Sequence, residues 1–281
     1  MPRLIYNRIA KAGSSTMMTL IAALSHINNF TIYSYDPYWP TQDQLRKSLE
    51  RLPPDSVYIN HCNFVPDMGE DYHWINIVRE PIEKDASLFY YQVSPTRGEK
   101  NMNHVLETRK ANKQCGCAFM EYDACIRLRV ENNCSLEFPD SALDFFSSEK
   151  PQLDLITGMK TSNHTSDKTF QRVLHEYRFV GLTEELVLSI KALEVLEPRF
   201  FRNASYVYAD LKSSEVKNAS PQTNKITHTS MTGAISSSVR SVLAHANPED
   251  IKLYEQVKRL FWWTIANVLP EEINFGKTII V

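Results

Sequence analysis

The sequence predicts an α/β fold, with a central parallel sheet flanked by helices, in one domain over residues 1–281. Three observations predict it. Short apolar runs alternate with segments of helical period from the first residues onward. Residues 74–78 (WINIV) are almost continuously apolar, as a strand covered on both faces requires. Of 281 residues, 43% are hydrophobic and 23% charged, which excludes a mostly disordered or collagen-like chain.

The elements follow in order. Residues 3–7 (RLIYN) read as a strand. A loop of small residues follows, then MMTLIAALSHI, where Met17, Leu20, Ile21 and Leu24 share one helical face. Ser14, Ser15 and Thr16 fall in the first turn of that helix. Residues 30–35 alternate and give a second strand. Residues 41–51 form a polar helix stopped by Pro53-Pro54. Residues 56–60 (SVYIN) are a third strand with His61 at its carboxyl end. The strand 74–78 ends at Arg79-Glu80-Pro81, and Pro81 opens a helix over 82–93. Residues 94–150 are polar and irregular, with one helix near 118–130. A helix is expected over 167–177, a short strand at 179–180, and a helix over 183–196 with Thr183 as N-cap. Residues 212–230 read as a loop and 248–268 as a long amphipathic helix. The sequence shows no internal repeat and no clear linker.

Charge and cysteines narrow the function. The 31 basic and 33 acidic residues give a net charge of -2. Attraction of the whole molecule to polyanions is excluded, no nucleic-acid partner is expected, and any polyanion site is a local patch. No run of about 18 apolar residues is present to span a membrane. The chain starts almost inside its first strand, without a signal peptide, so a truncated N-terminus is expected. Cys115 and Cys117 are one residue apart, which argues against a zinc pair; no metal is expected. Cys125 and Cys134 are able to close a loop as a disulfide. Asn-x-Ser/Thr sequons occur at Asn29, Asn133, Asn163, Asn203 and Asn218, against roughly two or three by chance. Sequons and clustered cysteines together point to the secretory lumen.

Three stretches carry chemistry. Lys11, Ala12, Gly13, Ser14, Ser15 and Thr16 lie between a strand and a helix, where backbone N–H groups and the helix dipole gather around an anion. Lys11 adds a full charge. The loop lacks GxxxxGK[ST] and is not a Walker A motif; by itself it also reads as an ordinary capped loop. Arg79 leaves the carboxyl end of a strand, where open α/β sheets bind ligands, and Ser87 follows eight residues later. Arg79 reads equally well as a partner of Glu80 or Glu83. His61 sits at another carboxyl end and is suited to taking a proton from a hydroxyl, or to a hydrogen-bonded place in the core. Cys62 offers a thiol nucleophile as a weaker alternative.

Two phosphate sites on one edge fit a nucleotide with two separated phosphates, and here a resemblance enters. YNRIAKAGSST resembles the 5′-phosphosulfate loop of the uronyl and heparan sulfate 2-O-sulfotransferases. INIVREPIEKDAS resembles their 3′-phosphate motif, INHCNF lies where they carry a catalytic histidine, and FVGLTEEL with LEPRFF matches a further segment. TRGEKNMNH is nearer the chondroitin/dermatan uronyl branch. The resemblance implies a P-loop-like sulfotransferase fold. It implies 3′-phosphoadenosine 5′-phosphosulfate as co-substrate and transfer of a sulfuryl group to the 2-hydroxyl of a uronic acid in a sulfated glycosaminoglycan. Residues 11–16 would wrap the 5′-phosphosulfate, with Lys11 also catalytic. Arg79 and Ser87 would hold the 3′-phosphate, His61 would be the general base, and Arg8 and Arg97 would face the acidic sugar. The pair Cys125–Cys134 falls in the region of a family disulfide. NKITHT (224–229) falls where the family closes over the nucleotide. A Golgi-lumenal location through an N-terminal type II anchor missing from this chain, and a homotrimer, also follow from the resemblance. The basic run after the 3′-phosphate helix is diluted to Arg97, Lys100, Arg109, Lys110 and Lys113, and a downstream cysteine pair is missing. Those departures favour a catalytically silent polysaccharide binder as the alternative. A P-loop small-molecule kinase would need the absent GK[ST].

Overall fold

The structure is a computed structural model. It describes residues 1–34, 40–94, 98–111, 115–134, 136, 152–158, 174–217 and 233–273. The chain forms two compact units: residues 1–79, 151–227 and 253–281, and residues 80–150 and 228–252. Its strands are β1 (Arg3–Asn7), β2 (Thr31–Tyr33), β3 (Ser56–Asn60), β4 (Tyr72–Val78) and β5 (Tyr177–Leu182). Its helices are α1 (Ser14–Asn28), α2 (Gln42–Glu50), α3 (Pro81–Gln92), α4 (Glu99–Ala111), α5 (Tyr122–Glu131), α6 (Gln152–Thr157), α7 (Leu186–Leu196), α8 (Pro198–Phe201), α9 (Ala204–Lys217), α10 (Ser237–Ala246), α11 (Pro248–Val268) and α12 (Pro270–Ile273).

The first unit holds the sheet. All pairings are parallel and the order is β2-β3-β1-β4-β5. β1 is central, with Asn7 opposite Asn60 of β3. All five β3 residues are buried, which is why that strand shows no polar alternation. α1 buries Met17, Leu20, Ile21 and Leu24, as the helical spacing requires. α2 starts with a capping box: Thr41 Oγ1 accepts from Gln44 N–H (3.2 Å) and Gln44 Oε1 accepts from Thr41 N–H (3.0 Å). From Leu253 onward, α11 presents Leu253, Val257, Phe261 and Ile265 to the core.

The second unit is helical. Ile82, Ala86, Phe89, Tyr122, Ile126, Val239 and Leu243 form its small core. Glu80 caps α3 by accepting from Glu83 N–H at 2.8 Å. Arg240 pairs with both Glu80 and Glu83. Two disulfides, Cys115–Cys134 and Cys117–Cys125, close loops around α5. Such a crosslink typically stabilises by about 2–4 kcal/mol.

The α/β expectation is borne out, and several local ones are corrected. Cys125 pairs with Cys117, not Cys134, whose partner is Cys115; the Cα–Cα distances of 5.2 and 5.9 Å lie in the range a disulfide requires. A helix, α4, occupies part of the stretch expected to be irregular; it buries Val105 alone, too little apolar face to stand out in the sequence. β5 runs over six residues and not two. Thr183 caps nothing: its Oγ1 donates to the Val78 carbonyl (2.9 Å), and α7 begins at Leu186 after Glu185. Ser189 Oγ serves that turn, accepting from Leu182 N–H at 3.0 Å. Residues 212–217 are helical rather than loop. Of the helix expected over 167–177, residues 167–173 lie outside the described residues, 174–176 are helical and Tyr177 already opens β5; the segment NKITHT also lies outside the described residues.

Gly181 is set by space. A Cβ there would meet Ile77 Cδ1 at 2.6 Å and Ser189 Oγ at 2.7 Å. Gly181→Ala should cost about 1–3 kcal/mol by overpacking, read as a lower urea midpoint with an unchanged m-value.

Candidate active site

Three neighbouring strands deliver the candidate residues to one edge. β3 ends at Asn60 and hands on His61, β1 ends at Asn7 and hands on Arg8 and the loop, and β4 ends at Val78 and hands on Arg79. The chain leaves β1 toward the β3 side and leaves β4 toward the β5 side. Their carboxyl ends therefore frame a topological switch point, where open α/β sheets bind ligands.

The loop between β1 and α1 turns through two left-handed residues, Lys11 (φ 61) and Gly13 (φ 72). Glycine accepts that conformation freely; a lysine is strained there by about 1–2 kcal/mol. The first intrahelical bond runs from Met17 N–H to the Gly13 carbonyl (3.1 Å), and no side chain caps the helix. The N–H groups opening α1 thus have no side-chain cap, and the positive end of the helix dipole lies with them. Arg79 Nη1 donates to the Lys11 carbonyl at 3.2 Å, so the second basic residue is brought onto the first loop.

Arg79 is held by its own backbone. Gln152, buried on α6, accepts from Arg79 N–H (2.9 Å) through Oε1 and donates to the Arg79 carbonyl (2.7 Å) through Nε2. One amide thus clamps both faces of the residue.

His61 is 5% exposed. Its N–H donates to Asn60 Oδ1 (2.8 Å). Burial first, and the Arg8 guanidinium second, push its pKa down from 6.5 to about 3. The imidazole is therefore neutral at any ordinary pH. Arg8 Nη2 reaches Ser14 Oγ at 3.3 Å, and its N–H continues the ladder to the Asn60 carbonyl (2.9 Å). Arg8 Nε is buried with no hydrogen-bond partner among the described residues. Cys62 is fully buried and burial raises its thiol pKa, which disfavours a thiolate nucleophile.

Beneath this edge lies a layer the sequence reading missed. Asn7, Asn76 and Tyr177 are buried and bonded to one another. Asn76 Nδ2 donates to the Asn7 carbonyl (2.6 Å) and to Asn7 Oδ1 (2.8 Å). Asn7 Nδ2 donates to Tyr177 Oη (2.9 Å) and to the Leu155 carbonyl (3.1 Å). Polar residues inside apolar strand runs were the available signal, since a buried amide needs partners. Gln152 gave no signal: its partner lies 73 residues away.

The remaining candidates fall elsewhere. Ser87 is buried on α3 in the second unit. Arg97 lies outside the described residues. In the diluted basic segment, Arg109 turns inward. It stacks 4.0 Å over the Phe89 ring and donates to the Phe89 carbonyl, and burial lowers its pKa to about 10. Lys110 pairs with Glu107 at 2.8 Å.

The carboxyl edge of an all-parallel sheet thus carries the loop with Lys11, Arg79 and a neutral His61. The sequence model of the Sulfotransferase family matches residues 2–255, and the chain belongs to that family. It is 24% identical to the uronyl 2-sulfotransferase homolog pip of Drosophila melanogaster, over 97% of this chain and 54% of the relative. It is 23% identical to the human uronyl 2-sulfotransferase (77% and 53% covered) and 25% identical to the human heparan sulfate 2-O-sulfotransferase 1 (76% and 60%). The chain spans about half the length of the curated relatives it matches.

Two predictions follow from this geometry. Gln152→Ala should free the Arg79 backbone and weaken binding of adenosine 3′,5′-bisphosphate by several-fold in calorimetry. His61 binds its proton below pH 3 when folded but near 6.5 when unfolded. The unfolded chain therefore takes up a proton across that window, and stability falls as pH drops through it while staying flat above. His61→Asn should lose this contribution, seen as a smaller difference in urea unfolding between pH 7 and pH 4.5 than in the unaltered chain.

Proposed function

We propose that the chain transfers a sulfuryl group from 3′-phosphoadenosine 5′-phosphosulfate to the 2-hydroxyl of a uronic acid in a glycosaminoglycan. The observation that carries this reading is the delivery of His61, the 11–16 loop and Arg79 by the ends of three adjacent strands. The printed activities of the relatives supply the substrate class.

The uncapped N–H groups at residues 14–16 and the Lys11 ammonium fit a 5′-phosphosulfate. They stabilise charge growing on the departing phosphate, the preorganised electrostatic contribution that is usually largest. Arg79 serves the 3′-phosphate. Arg8 takes the uronate carboxylate. His61 accepts the proton of the attacking hydroxyl.

A histidine held near pKa 3 is a weak base in the free enzyme. Anions brought beside Arg8 offset that guanidinium and raise the proton affinity of His61, the direction general-base catalysis needs. The Arg8 charge is the lesser of the two causes, so the substrates relieve part of the depression and burial keeps the rest.

Arg109 and Lys110, engaged within the second unit, favour weaker polysaccharide contact than a fully basic segment would give. This supports the second reading, a silent polysaccharide binder. The two disulfides and the sequons support a Golgi-lumenal location. Among the described residues no helix is long and apolar enough to cross a membrane.

Sulfur-labelled donor, offered with a panel of desulfated polysaccharides, should label the 2-position of uronic acids on disaccharide analysis. Polysaccharide retention without label would select the silent binder. His61→Ala should lower turnover by about 10²–10⁴-fold with nucleotide binding retained, whereas equal turnover would reject the base assignment. Because the substrates raise the histidine pKa, the acid limb of kcat should lie at higher pH than that of kcat/KM.

A further inference from the structure

We propose that Asn29 and Asn203 are a paired N-glycosylation site at the end of α1 remote from the catalytic edge. The two sequons, Asn29-Phe30-Thr31 and Asn203-Ala204-Ser205, are 174 residues apart in sequence. The fold brings them together. Arg199 donates to the Asn28 carbonyl (2.6 Å) and to the Asn29 carbonyl (3.2 Å). Asn28 Nδ2 returns two bonds, to the Phe200 carbonyl (3.0 Å) and the Arg202 carbonyl (3.1 Å).

The asparagines divide sharply in role. Asn28 is 4% exposed and its amide is bonded twice. Asn29 and Asn203, the sequon residues, are exposed, and neither side-chain amide is hydrogen-bonded among the described residues. Both take left-handed backbone (φ 53 and 66) at turns, which turns each residue out at a helix boundary. Asn29 closes α1, and Asn203 immediately precedes α9.

A second observation identifies the compartment. Four of the five cysteines are paired, as an oxidising lumen allows and a reducing cytosol does not. That lumen supplies the donor class, an oligosaccharide linked to a lipid diphosphate. The asparagine Nδ2 forms a bond to C1 of the reducing sugar and the C1–O bond to the diphosphate breaks. The diphosphate leaves with the electron pair, and the amide loses one proton to a base. The inference rests on the lumenal part of the reading above.

The placement has a functional corollary. The 15 residues of α1 separate Ser14, at the anion loop, from Asn28 by about 22 Å. Glycans at the far end leave the loop open.

The test uses the full chain secreted from cultured animal cells. Enzymatic release of N-glycans in heavy-oxygen water, followed by peptide mapping of the unaltered protein, should mark both Asn29 and Asn203 by conversion to aspartate. Thr31→Ala and Asn203→Gln should each remove one glycan step on a gel. The mapping needs no variant, so a misfolded variant does not obscure the result. Finding either asparagine unmodified in the secreted protein overturns the proposal. Releasing the glycans from the folded protein should leave sulfuryl transfer unchanged within twofold, and a larger loss overturns the remote placement. A protein fully glycosylated yet inactive would refute the transferase reading and spare this one.

Discussion

The side-chain amide of Asn7 is the contact on which the site depends. It stands at the last residue of the central strand, buried, and joins β1 to Asn76 of β4, to Tyr177 of β5 and to the α6 carbonyl of Leu155. Everything after it in sequence, Arg8 and the anion loop included, leaves the sheet from that fixed point. Each such bond contributes about 1 kcal/mol net, but leaving a partner unsatisfied in the interior costs about 1–3 kcal/mol. The network therefore acts more by forbidding alternatives than by adding stability. A strand end free to shift by one residue would reverse which side chains face the edge.

The same burial that fixes the edge sets its electrostatics. His61, Cys62 and Tyr177 are all removed from water, and each is pushed toward its neutral form. The charged groups, Arg8, Lys11 and Arg79, sit on the rim, half-buried. A neutral floor under a cationic rim is complementary to anionic groups at the rim with an uncharged group against the floor. In a low-dielectric floor a modest displacement of charge has a large effect, so Arg8 on the rim adds to the shift that burial sets at His61.

Much of this was legible in the sequence. Continuous apolar strands, the stop at Pro53-Pro54, Pro81 at a helix start and the small-residue loop all have local causes, and the structure places those elements within a residue or two. The positions of His61, Lys11 and Arg79 at strand ends followed from those boundaries. What failed depended on partners distant in the chain. Thr183 had the chemistry of a helix cap but found the Val78 carbonyl 105 residues away. Cys125 has Cys117 and Cys134 at similar spacing, eight and nine residues away, and spacing alone does not choose between them. The clamp of Gln152 on Arg79 has no local signature at all. α4 was hidden because a helix that buries a single valine carries almost no periodic signal.

The distribution of sulfur has a consequence of its own. Both crosslinks belong to the second unit, and the first contains one thiol, shielded inside its core. A thiol reductant therefore acts on about a third of the chain: it opens the covalent staples around α5 and finds nothing to cut in the sheet. Bacterial cytoplasm imposes the same asymmetry during biosynthesis, so material made there would combine an intact parallel sheet with a helical unit lacking its covalent bracing.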